Sequence, residues 1–391
     1  MKQKILSFNF LMFFFSFLII YSILIIGDYY LHLKQFSFRE DASDIINSRK
    51  WNEDRPLIAQ AKKNGYVRII YPYHYYLVKT VQDKFIKDIV PVGAQPYRKV
   101  YDCNEGYGLI KYKTDRFGFR NDDKNWDEIL VTNKKKILFI GDSFVNGDCV
   151  NDEDVISNNL DQFKNINLGL SGNEPFVYSS HAKIFIPILK PNYVIVVFYD
   201  NDNTTEGSIF KKNLDIKDIH LRYVKNKDGK LVLSEEIREI KNQAENYILD
   251  LEKHHITGSR PNILRRGLRY FSLPTIRSNL RIFYQHSFFK LPDSTKLSID
   301  IVNEQCRKYN CVPIFSYMPS SDFWTPSKLT KKYRDSISIY LKKNNSYFLD
   351  FTKILDDMSE REAFALKGTH LSPEGYKKVA NEINKFIENI N

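Results

Sequence analysis

The stretch Lys136-Ile-Leu-Phe-Ile-Gly-Asp-Ser-Phe144 sets the reading of the whole chain. Four consecutive apolar residues, Ile137 to Ile140, suit a strand buried on both faces, and Gly-Asp-Ser after them is turn chemistry leading into a helix. A small nucleophile, Ser143, thereby falls where a buried strand ends. Three later stretches fall at similar junctions: Asn167-Leu-Gly-Leu-Ser-Gly-Asn173, Tyr199-Asp-Asn-Asp202 and Gly368-Thr-His-Leu-Ser-Pro-Glu-Gly-Tyr376.

Working outward, the pattern predicts strands at 166–168, 193–199, 312–318 and 347–350, with helices at 152–163, 175–189, 298–307 and 326–341 between and after them. Ser372-Pro373-Glu374 opens a last helix, with serine as N-cap and proline at its first position. Alternating strand and helix implies an α/β fold with a doubly wound parallel sheet. Ligands of such sheets bind beyond the carboxyl ends of the strands, and Ser143, Gly172 and Asn201 each follow such an end. A serine hydroxyl needs a base, and histidine is the side chain that titrates near neutrality. His370 is the histidine that sits in a motif, so we assign it as general base and then general acid. Gly172 suits a close approach of substrate to backbone.

These four stretches resemble the SGNH (GDSL-type) hydrolase family, whose functional serine, glycine, asparagine and histidine fall here on Ser143, Gly172, Asn201 and His370. The resemblance covers roughly residues 96–391 apart from a long insertion. It is strongest with membrane-anchored SGNH-like proteins associated with surface polysaccharides, which also carry a lead-in similar to Lys113-Thr-Asp-Arg-Phe-Gly-Phe-Arg-Asn121. The resemblance implies the three-layer, flavodoxin-like form of the doubly wound sheet, and an oxyanion hole made of the backbone N–H groups of Ser143 and Gly172 with the side-chain amide of Asn201. It also implies an acidic residue three positions before the histidine, but that position is Lys367, which cannot accept the imidazole proton. Asp356, Asp357 and Glu362 lie close by in sequence as substitutes, and a Ser-His pair assisted by a backbone carbonyl is the other possibility.

The chain has 391 residues and a formal charge of +11. Its basic residues are scattered over the surface rather than gathered into an arm, and no nucleic-acid module is present. Between Lys4 and Asp28 there is no charged residue. That interval is long enough to cross a bilayer, and Lys2 and Lys4 ahead of it place the N-terminus in the cytoplasm and the main domain in the periplasm or outside the cell. The apolar run exceeds a signal peptide's core and lacks a small-x-small cleavage site, so an uncleaved anchor is expected.

Disulfides persist in that compartment. Four cysteines allow three pairings: Cys306 and Cys311 are close enough to bridge, and pairing Cys103 with Cys149 would tie the lead-in to the loop after Ser143. Buried free cysteines are the alternative. No cysteine or histidine spacing suggests a metal site, and no cofactor is expected.

The expected organisation is a cytoplasmic tip and membrane anchor over 1–27, a stalk over 28–95, and an SGNH-like domain over 96–391 with a cap region inserted at about 203–295. The insertion holds a hairpin turn at Asp228-Gly229, a helix from 234 to about 254 with the surface residues His254 and His255, and a basic stretch through Arg260, Arg265, Arg266, Arg269, Arg277 and Arg281. Tyr284, Phe288 and Phe289 are expected in the core of the cap. Asp142 reads as a turn or cap residue, Asp202 as a brace for Asn201 or for a helix start, and Arg116 and Arg120 as partners in salt bridges of the lead-in.

The expected function is a serine esterase or O-acyltransferase acting on an acylated, for example acetylated, cell-envelope glycan, alongside envelope-polysaccharide machinery. Two alternatives stand beside it: a non-catalytic glycan-binding or assembly subunit, favoured by Lys367, and a lipid-directed esterase.

Overall fold

The computed structural model describes residues 2–204, 208–255, 272–320 and 330–390. Two compact units divide the chain: Met1–Glu53 with His254–Phe289, and Asp54–Lys253 with Lys290–Asn391. One helix, Lys2–Lys63, carries the chain over the first part of the expected stalk, and residues 54–95 are grouped in the second unit.

In the first unit, Phe10–Leu31 is a 22-residue helical stretch of mean hydropathy 2.6. At 1.5 Å per residue it is long and apolar enough to span a hydrocarbon core of about 30 Å. Asp28, within that stretch, is buried, and its Oδ1 accepts a 2.6 Å hydrogen bond from the backbone N–H of Ile276, third residue of the helix Pro274–Ser287. A carboxylate there satisfies one of the orphan donors that every helix leaves at its N-terminus. The described residues 272–289 of the insertion thus group with the N-terminal helix. Tyr284 and Phe288 pack on each other at 4.9 Å but are exposed, which corrects their expected burial. Arg260, Arg265, Arg266 and Arg269 lie outside the described residues.

The second unit opens with a small sheet in which β1 (Val67–Arg68) runs parallel to β2 (Lys99–Tyr101), and β2 antiparallel to β3 (Lys111–Lys113). Then come β4 (Lys136–Ile140), β5 (Lys164–Asn167) and β6 (Tyr193–Tyr199), and the hairpin of β7 (Val224–Lys227) with β8 (Lys230–Leu233). At that turn Asp228 and Gly229 both have positive φ, the geometry of the tight hairpin turns. The last strands are β9 (Val312–Met318) and β10 (Tyr347–Asp350). The main sheet has the order β10-β9-β6-β4-β5, and every pairing in it is parallel.

Alternation along the strands divides the apolar residues between two faces. Ile137, Phe139, Ile195, Val197 and Ile314 share a core with Tyr376, Val379, Ala380, Ile383 and Ile387 of the helix Pro373–Ile390. On the other face, the helix Pro175–Leu189 places Tyr178 5.8 Å from Phe198, which stacks 6.3 Å from Phe315. Helix, sheet and helix give the expected three layers. The predicted N-cap is in place: Ser372 Oγ accepts from the N–H of Gly375 at 2.9 Å.

One expected helix fails. Residues 152–163 form two short 3-10 turns, Asp152–Asp154 and Ile156–Asn159. The side chain of Asn158 donates to Asp152 O at 2.7 Å, and that of Asn159 to Glu153 O at 3.0 Å. These amides take carbonyls that a continuous helix needs for its own N–H groups. The helix expected at 326–341 is described as Thr330–Lys343, since 321–329 lie outside the described residues.

Candidate active site

Strands β4, β5 and β6 are neighbours, with β4 between the other two. The chain leaves β4 for β5 on one side and then returns to β6 on the other, so the direction of winding reverses beside β4, where such sheets form a crevice. Ser143 lies just beyond β4 and begins a one-turn helix, Ser143–Asn146. Asp142 caps that turn, its Oδ1 accepting from Phe144 N–H at 3.1 Å. Gly172 follows β5, and Asn201 follows β6 on the 3-10 turn Asp200–Thr204. Asp202 is buried and braces that turn, accepting from Tyr199 N–H at 3.0 Å and from Tyr178 OH at 3.1 Å. Gly172 has φ +70°, and a Cβ there would stand 2.3 Å from a ring carbon of Tyr73. Tyr73 belongs to the short helix Pro72–Leu77 and stacks with His74 at 4.3 Å, so an aromatic pair lies against this glycine.

The lead-in grips the same loops. Asp115 accepts hydrogen bonds from the N–H groups of Phe117 and Phe119, the indole N–H of Trp126 and the amide of Asn121. Arg116 pairs with Asp123 and Asp127. Arg120 donates to Gly147 O at 2.7 Å and Val150 O at 2.9 Å, holding both ends of the loop after the Ser143 turn, and pairs with Asp152. Within that loop, Cys149 is bonded to Cys103 with Cα atoms 5.1 Å apart, and Cys306 is bonded to Cys311. Both expected pairings are present, and no cysteine is free.

His370 stands on the segment before the last helix, its ring centroid 5.1 Å from that of Phe144. Its partner is a residue the sequence reading missed. Glu105 Oε1 lies 3.0 Å from His370 Nδ1, and Glu105 Oε2 accepts from the His370 backbone N–H at 3.0 Å. Lys367 is exposed, as are Asp356 and Asp357, and Glu362 accepts from Ser359 instead. The one clue to this region in the sequence is Cys103, whose pairing with Cys149 brings the residues beside it to the site, though it does not single out Glu105.

On the other side of the ring, Nε2 lies 4.0 Å from Asp148 Oδ2, and Ser143 Oγ and His370 are not hydrogen-bonded to each other. Burial pushes the pKa of His370 down, but the hydrogen bond and charge of Glu105, with the charges of Asp148 and Asp142, outweigh it and raise the pKa to about 9. Burial raises Asp142 to about 7 against the pull of the Phe144 N–H, and raises Asp148 despite His370. Asp102 is also raised to about 7, by burial and then by the charge of Asp148. A charged imidazole among buried carboxyls is the resting state this arrangement favours.

Glu105, Cys149 and His370 form one group of close donor atoms, and Asp102, Cys103 and Asp148 another. Sulfurs joined in a disulfide are not thiolate ligands, so neither group offers a metal three ready donors.

No protein-family model and no curated protein matches this chain. Among solved structures, a lipolytic protein of the G-D-S-L family from Desulfitobacterium hafniense aligns at 17% identity over 64% of this chain and 99% of its own, with a TM-score of 0.38. A family 3 carbohydrate esterase from Clostridium thermocellum aligns at 15% identity over 66% and 97%, with a TM-score of 0.37. A catalytic mutant of an acetylxylan esterase from Geobacillus stearothermophilus aligns at 14% identity over 64% and 93%, with a TM-score of 0.35. With none of the three above 17% identity or a TM-score of 0.38, no activity carries across from them to this chain.

Proposed function

We propose that this chain is an extracytoplasmic serine ester hydrolase of SGNH type, anchored through Phe10–Leu31, in which Ser143 is the nucleophile and His370 moves the proton. One observation carries the reading: Ser143, Gly172 and Asn201 follow the carboxyl ends of three adjacent parallel strands, and a partly buried, carboxylate-paired histidine packs against the residue after the serine.

In the reaction, Ser143 Oγ bonds to the ester carbonyl carbon as its proton passes to His370 Nε2. The carbonyl oxygen becomes an oxyanion facing the N–H groups of Ser143 and Gly172 and the amide of Asn201. Loss of one such donor typically costs about 3–4 kcal/mol of transition-state stabilisation. Collapse of this intermediate breaks the bond to the leaving alcohol, which takes the proton from Nε2. The acyl-serine then passes its acyl group to water or to a sugar hydroxyl by the same steps in reverse. An anchored chain facing the envelope meets acylated envelope glycans, and these are the substrate class of this reading.

The main support for a non-catalytic reading was Lys367, and a carboxylate at His370 Nδ1 removes it. A histidine with a pKa of about 9 must lose its proton before it serves as base. The rate therefore rises with pH towards a limb near 9, opposite in sign to a profile governed by an acid that must stay protonated. The first test labels the full chain in detergent with a fluorophosphonate, beside Ser143→Ala and His370→Ala. An adduct on Ser143, lost in both variants, is expected; labelling that survives Ser143→Ala would refute the assignment.

A further inference from the structure

We propose that Glu105 is the positioning residue for His370, and that the Cys103–Cys149 disulfide holds it in place, so that the pair works only in the oxidised protein. The proposal rests on the assignment of His370 as the catalytic base.

Three contacts fix Glu105 to the histidine segment. Its two carboxylate oxygens meet Nδ1 and the backbone N–H of His370, and its own carbonyl accepts from Lys367 N–H at 3.0 Å. The segment is shaped to receive it: a Cβ on Gly368 would lie 1.7 Å from the carboxyl carbon of Glu105. Only a residue without a side chain leaves room for that carboxylate. The Glu105 side chain is 8% exposed, so it has little water to turn to if the histidine is lost.

What brings Glu105 there is short and covalent. Cys103 stands two residues before it, and its partner Cys149 has Sγ 3.7 Å from His370 Nδ1. Arg120 fixes the Cys149 loop independently through Gly147 O and Val150 O, so the bridge transmits a position already set. Between cysteine and glutamate, Asn104 Oδ1 accepts from Gly106 N–H and Gly108 N–H, bending the chain so that Glu105 faces the histidine. Reduction by a small dithiol gives two electrons and two protons to the bridge, the dithiol itself closing to a disulfide. Cys103 is then released, and the freed Cys149 thiol competes with Glu105 for Nδ1.

A carboxylate at Nδ1 selects the tautomer that leaves Nε2 free to accept the serine proton. In Glu105→Gln, a carbonyl kept at the backbone N–H turns the NH2 towards Nδ1 and inverts that tautomer. The other titratable groups that act on the ring are Asp102 on the lead-in, and Asp142 and Asp148 beside Ser143.

The test uses the full chain in detergent, with two readouts. Hydrolysis of p-nitrophenyl acetate is followed across pH, and the His370 ring is titrated by NMR, its signal assigned with His370→Ala. Glu105→Gln is expected to lose about 10²–10⁴-fold in kcat, and His370 to titrate below its value of about 9. Glu105→Asp recovers part of both. Cys103→Ser/Cys149→Ser, and the wild type treated with dithiothreitol, follow Glu105→Gln, while Cys306→Ser/Cys311→Ser controls for reduction elsewhere. An unchanged His370 titration in Glu105→Gln overturns the role of Glu105, and an unchanged titration in the Cys103/Cys149 variant overturns the tether. Since the titration needs no turnover, it decides the proposal even if Ser143→Ala retains full esterase activity and the catalytic reading itself falls.

Discussion

The two disulfides of this chain are the same bond put to different work. Cys306–Cys311 closes a separation of five residues, joining the end of the helix Asp293–Tyr309 to the start of β9, and it constrains little that the turn between them does not already fix. Cys103–Cys149 closes a separation of 46 residues and joins two elements that meet at the candidate active site. In the chain-entropy account the longer loop is worth about 4 kcal/mol and the shorter about 2 kcal/mol as upper values. The energetic contrast is modest, whereas the positional contrast is large: one bridge ends a helix, and the other delivers a carboxylate to a histidine.

That contrast can be broken in three ways. The largest effect is expected from Cys103→Ser/Cys149→Ser, which should lower esterase activity by about 10²–10⁴-fold, as removal of an orienting acid does, with stability falling by up to about 4 kcal/mol in denaturant melts. Activity within twofold of the wild type would make the two bridges equivalent. Next, Cys306→Ser/Cys311→Ser should cost up to about 2 kcal/mol in the same melts and leave kcat/KM within about twofold. A large kinetic loss there would mean that the bridge at β9 reaches the site. The smallest effect is expected from Lys367→Asp, which restores an acid at the familiar position. With Glu105 already on Nδ1 it should change kcat by less than about threefold, and a tenfold gain would show that Glu105 does not act as the operating acid.

Much of the fold was legible because β4 and β6 are buried on both faces and so read as apolar runs, and because Ser372-Pro373 marks a helix start. The stretch 152–163 was misread because apolar spacing there suggested a helix, while Asn158 and Asn159 bond backward to carbonyls, a competition that periodicity does not register. The places of Ser143, Gly172, Asn201 and His370 at loop and strand ends could be anticipated, since each lies within a local motif. Glu105 could not, because it sits 265 residues before His370 and no local pattern links the two. Only the cysteine pairing joined those distant parts of the chain, and its consequence for the acid follows from side-chain positions that a sequence does not give.

Gly368 turns this geometry into something that can be searched for. A glycine two residues before the histidine is the imprint of a carboxylate arriving from outside the segment. A cysteine two before a glutamate, and another six after the serine, are the imprint of how it arrives. Chains that combine Cys-x-Glu, Gly-Asp-Ser-x5-Cys and Gly-x-His, in that order and without an acid three before the histidine, would form a recognisable class in which oxidation is a condition of assembly. In such chains the choice of compartment is written into the active site itself.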